Sequence, residues 1–133
     1  MEGSSARSPE EARLVRVDGT AGWRLFHVVK SADPSEDDFR SMLGQGRVPR
    51  PQRDGQYDAE VLRRAAGVSC YETREQARNA AIRYRLGSFI TEVFIPDDGC
   101  AIEVARTGSA TGHYTVWASM AYFLSRIISI TPL

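Results

Sequence analysis

Neither sign of charge is in excess: 17 basic and 17 acidic side chains leave a formal net charge of zero. That balance argues against a general nucleic-acid or anionic-membrane surface, both of which require a basic surplus. Long apolar runs are missing, so no stretch is suited to crossing a bilayer. The N-terminus lacks the basic-then-apolar layout of a secretion signal. Cysteine is scarce: Cys70 and Cys100 are the 2 present. Both stand in apolar, strand-like contexts and read as buried thiols of a reducing cytoplasm rather than a disulfide. The sequence contains no Walker loop, no GxGxxG, no HExxH, no GxSxG and no CxxC, which removes the common phosphate-loop, zinc-protease, hydrolase and thiol-redox signatures. His27, His113, Cys70 and Cys100 are zinc-type ligands, but no two of them stand at short spacing, so no metal is expected.

What is present suffices for one domain. The chain has 133 residues with 42% apolar side chains, enough to bury a core without staples. Residues 1–13 are rich in Ser, Glu and Arg and read as a mobile tail; 14–133 read as the domain. Leu14 to Val17 suits an edge strand before a turn at Asp18-Gly19. Residues 23–30 (WRLFHVVK) are apolar on both alternating faces and suit a central strand. Asp33-Pro34-Ser35-Glu36 is a helix start with Asp33 as cap; Phe39, Met42 and Leu43 form the buried side and Gly44 the stop. Residues 45–57 make a long loop rich in Pro, Gly and Arg, a binding loop or a mobile one. Asp58 caps a second short helix, with Val61, Leu62 and Ala65 inward and Gly67 as its end.

The chain turns on residues 67–86. Val68, Cys70 and Tyr71 suit a buried strand. Thr73 and Gln76 stand at capping-box spacing, and Ala77, Ala80, Ala81 and Tyr84 then repeat as a narrow apolar stripe. The spacing predicts a helix over 74–86, packed on a sheet through that stripe and ended by Gly87. Ser69, Tyr71 and Thr73 put hydroxyls on one side of the corner. Residues 88–95 form a clear strand. Pro96-Asp97-Asp98-Gly99 is a turn, and 100–105 return as the hairpin partner. Residues 107–115 are a second flexible loop, running into His113-Tyr114-Thr115-Val116-Trp117. A short helix over 118–124 and a last strand over 126–131 complete an α+β domain with a mixed or mainly antiparallel sheet and three to four short helices.

Several side chains are candidates for chemistry. His113, Tyr114 and Trp117 can stack a flat ligand and bond its edge, or equally plug the core. Arg24 and His27 lie on opposite faces of the first long strand, where a charge needs a partner or a ligand unless the strand end leaves it in water. Glu92 and Glu103 each interrupt an apolar strand, and each taken alone suits a solvent-facing position. Cys70 suits a core residue better than a thiolate.

The segments WRLFHVV, DFRSMLGQG, GVSCYETREQA, GSFITEVFIP and GHYTVW resemble a recurrent, largely uncharacterised bacterial family and, more broadly, the ADP-ribosyltransferase-like fold with its RES-type toxins. The resemblance implies that Arg24 or His27 holds NAD. It places Tyr71-Glu72-Thr73, with Ala77 beyond, at the nicotinamide-side corner, and Glu103 or Glu92 as an acid beside the ribose. The chain departs from that pattern in having no Gln/Glu-x-Glu pair, no Arg-x-Asn motif and no acid shortly after Ala77. The site this implies has Arg24, Tyr71, Glu103 and His113 as catalytic groups. His27, Ser69, Thr73, Tyr114 and Trp117 would bind the cofactor, NAD. The activity would be ADP-ribosyl transfer or NAD hydrolysis by a bacterial toxin or effector, with a cognate antitoxin or target protein as partner. The alternative is a non-enzymatic, antitoxin- or immunity-like module that uses the Arg-rich segment 47–53 and the segment 113–117 as its contact surface.

Overall fold

The computed structural model describes residues 14–17, 19–97, 102–107 and 112–133. The expected tail, Asp18, the end of the turn at 98–99, Cys100 and most of the second loop lie outside them. Seven strands form one sheet: β1 (Leu14–Val17), β2 (Thr20–Val29), β3 (Val68–Tyr71), β4 (Phe89–Pro96), β5 (Glu103–Arg106), β6 (His113–Trp117) and β7 (Ile127–Pro132). The order is β5-β6-β3-β2-β4-β7, β1 pairs β2 as well, and every pairing is antiparallel. With helices α1 (Ala59–Ala65), α2 (Arg74–Tyr84) and α3 (Met120–Ser125) this is the expected single α+β domain. Among the described residues no helix is long and apolar enough to cross a membrane.

Alternation along β2 explains the two layers. Leu25 and Val29 face one side and pack with Val68, Cys70, Val93, Ile95, Tyr114 and Val116 under Phe39 and Phe123. Phe26 and Val28 face the other, where Ile90 meets Ala77 and Ala81 of α2. Removing each of the large side chains from water contributes about 1.5–3 kcal/mol. α2 begins as its sequence requires. The Thr73 hydroxyl accepts from the Gln76 N–H at 3.1 Å, and the Gln76 side-chain Oε1 accepts from the Thr73 N–H at 3.1 Å. Asp58 caps α1 by accepting from Glu60 and Val61 at 2.8 and 3.2 Å.

Five expectations are corrected. Residues 113–117 are not a loop: β6 is an interior strand between β5 and β3, with Tyr114 fully buried. Consequently the strand after β4 does not return against it. β5 pairs β6, in register Glu103↔Trp117, while β4 takes β7 on its free edge. The segment after Pro34 forms two separate 3₁₀ turns, Glu36–Phe39 and Leu43–Gln45, with Ser35 at the first N-cap and Gly46 closing the second. The Asp38 carboxylate accepts from the Ser35 N–H at 2.9 Å, and Leu43 is exposed. α2 ends at Arg85, whose φ is +54°, and the Leu86 N–H closes the end on the Ala81 carbonyl at 3.1 Å. Gly87 serves a close approach instead, since a Cβ there would fall on the Val29 carbonyl. Tyr84 stands outside the stripe, 61% exposed.

Candidate functional site

β2 and β3 pair only at Phe26↔Tyr71. Past that rung β2 runs on to Val29 and β3 runs back to Val68, and a cleft of about 1010 Å³ opens there, lined by residues of both. Its walls come from α1, the 3₁₀ segment, the end of α2 and β6.

His27 stands where the ladder stops. Its Nδ1 lies 2.8 Å from the Ser69 carbonyl oxygen and its Nε2 lies 2.6 Å from the Asp38 carbonyl oxygen. The ring stacks on Phe39 at 4.7 Å, and Phe39 stacks on Phe123 at 5.2 Å. A side chain thus supplies the bond that the missing rungs do not. Burial lowers the His27 pKa, outweighing the two carbonyls and the Asp38 carboxylate, which raise it. Across the opening the Tyr71 ring meets His113 edge to face at 5.4 Å and 76°. Burial raises the Tyr71 pKa. His113 Nδ1 lies 3.1 Å from the Thr107 hydroxyl, which lies 2.6 Å from the Thr115 hydroxyl. Burial lowers the His113 pKa, and the nearby Arg64 charge adds to that effect.

Five cations (Lys30, Arg40, Arg47, Arg64 and Arg85) line the cleft against two carboxylates, Asp37 and Asp38. Both acids are engaged: Asp37 pairs with Arg40, and Asp38 accepts from the Lys30 backbone N–H at 3.1 Å. Among the described residues, Lys30, Arg47, Arg64 and Arg85 form no ion pair.

Of the residues singled out in the sequence, the fold brings His27, Ser69, Tyr71 and His113 to this cleft. The others lie elsewhere. Arg24 pairs with Glu92 at 2.8 Å, so each neutralises the other. Glu103 pairs with Arg63. The Arg63 guanidinium also lies 4.0 Å from the centre of the Trp117 ring, whose Nε1–H donates to the Arg63 carbonyl at 2.9 Å. Tyr114 is a core residue whose hydroxyl donates to Glu72 at 3.4 Å. Thr73 is occupied as a cap. Cys70 is fully buried and its thiol is pushed up to about 12 by that burial, so it is no nucleophile at neutral pH. No group of His, Cys, Asp and Glu among the described residues is arranged to hold a metal ion.

Sequence reasoning missed Arg64, Lys30, Arg85, Thr107 and Thr115. The available signal was Arg63-Arg64 directly after the apolar Val61-Leu62 of a short helix, although adjacency alone does not say which of the two turns inward. No family model, curated protein or solved structure matches this chain significantly.

Proposed function

We propose that the cleft binds a phosphorylated ligand of nucleotide size, NAD-like in having both anionic oxygens and a flat ring. The observation that carries this is the lining: five cations, four of them without an ion pair among the described residues, against two engaged carboxylates. Phosphate oxygens suit guanidinium forks and ammonium groups. The Tyr71–His113 pair offers an aromatic surface for the ring.

Binding is better supported than turnover. Cleaving the bond between nicotinamide and ribose develops positive charge, which a carboxylate aimed at the site stabilises. Glu92 and Glu103 are neutralised by Arg24 and Arg63, away from the lining. The reading as an antitoxin or target-binding module loses half of its surface, because residues 113–117 form an interior strand; residues 47–53 remain exposed apart from the half-buried Pro49.

Calorimetric titration with ADP-ribose and NAD tests this, alongside chromatography for released nicotinamide. The expected result is saturable binding of both below about 1 mM, weakened by Tyr71→Ala, with no nicotinamide formed. Absence of binding overturns the reading. Steady nicotinamide release, lost in Glu103→Gln, would restore the transferase reading.

A further inference from the structure

Arg64 differs from the other cations of the cleft. Lys30, Arg40, Arg47 and Arg85 are exposed, and water solvates them. Arg64 is half-buried on α1, a helix fixed by the Asp58 cap. Its Nε is fully buried and meets no hydrogen-bond acceptor. It forms no ion pair among the described residues. A guanidinium taken part-way out of water without a counter-charge is costly, and proteins rarely keep such a group unless something completes it; with Nε closed to the cleft, the terminal nitrogens are the ones a ligand reaches.

Its surroundings indicate what completes it. His113 is close enough for the two to influence each other electrostatically. His113 Nε2 bonds to no described residue, while Nδ1 is held by Thr107. Thr107 lines the same wall, its hydroxyl backed by that of the buried Thr115 at 2.6 Å. The group therefore offers a planar cationic fork, an imidazole nitrogen and the Thr107 hydroxyl. Among the described residues no carboxylate lines that wall, because Asp37 and Asp38 lie on the 3₁₀ segment. Several donors around one unpaired cation suit an oxyanion with several acceptor oxygens, a phosphoryl group above all.

We propose that Arg64 is the phosphate-gripping residue of the cleft, binding a phosphoryl group of the ligand with the help of His113 and Thr107. This rests on the reading of the cleft as a site for phosphorylated ligands and fixes which end takes the charge. The ring then lies toward Tyr71, and Lys30 and Arg85 at the far side serve as general attraction.

The test titrates the full chain with inorganic pyrophosphate and with ADP-ribose. Wild type is compared with Arg64→Gln, Arg64→Lys, Lys30→Ala and Arg85→Ala. Loss of a charged hydrogen-bonding partner should weaken both ligands by about 30-fold in Arg64→Gln. Arg64→Lys, which keeps charge but loses the fork, should weaken them by about tenfold. Lys30→Ala and Arg85→Ala should each cost less than about threefold. Thermal unfolding of Arg64→Gln without ligand should match or exceed wild type, because an uncompensated charge is removed. Equal losses in Arg64→Gln and Arg85→Ala would overturn the assignment and leave the cleft reading intact, as would a clear drop in unfolding temperature for Arg64→Gln, which marks a structural ion. Absence of binding by wild type would sink both.

Discussion

His27, on β2, sits between a carbonyl of β3 and one of the 3₁₀ segment, and its neutral ring donates to one of the two at a time. Burial favours the neutral ring, so its folded pKa lies below the ordinary value near 6.5, and His113 is shifted the same way for the same first reason. Below about pH 6.5 the unfolded chain therefore binds more protons than the folded one. Stability contributed by these rings is complete above that pH and is lost as the pH falls from there toward the lowered folded values. The unfolding temperature should fall between pH 7.5 and pH 5, and less steeply in His27→Asn than in wild type; a profile flat over that window in wild type would contradict the shifts. From the sequence, His27 was a candidate on the correct strand. That its two nitrogens face carbonyls 42 and 11 residues away in sequence was not readable, because hydrogen-bond partners across strands depend on register.

At the scale of elements, α2 was the most legible. Its cap, alanine stripe and start are local, set by side chains three and four residues apart. Ala77 is fully buried against Val28 and Ile90. Ala77→Leu should overpack that contact and cost about 1–3 kcal/mol, read as a lower denaturation midpoint at unchanged slope; an unchanged midpoint would mean the helix does not sit on the sheet through this face. The end of α2 was less legible than its start. Glycine at 87 looked like a stop signal, yet the left-handed position fell to Arg85 while Gly87 was needed for the close approach to Val29. β6 was the element most misread. Glycine and hydroxyl side chains before Tyr114 suggest a loop, but Tyr, Thr, Val and Trp suit a strand, and burial on both faces decides in its favour. At its start Gly112 has φ +77°, and its carbonyl accepts from the Glu72 N–H at 2.8 Å, tying the strand to the corner before α2.

For the whole molecule, net charge proved uninformative about the site. A chain with no formal surplus still gathers cations around one cleft, because folding sorts charges by position and not by total. Binding of ADP-ribose should accordingly weaken by about tenfold between 0.05 and 0.5 M salt, as the screening length shrinks over that range; salt-independent affinity would place the ligand's phosphates away from the cations. The sequence by itself determined the fold class, the two capped helices and the alanine face of α2, since capping and periodicity act within a few residues. It also placed His27, Ser69, Tyr71 and His113 among the candidates. Only the tertiary structure decided that β5 pairs β6 and not β4, that Arg24 and Glu92 cancel each other, and that Arg64 rather than Arg63 turns to the cleft. Strand pairing joins residues distant in sequence, and a period of two names the face of a strand without naming its neighbour.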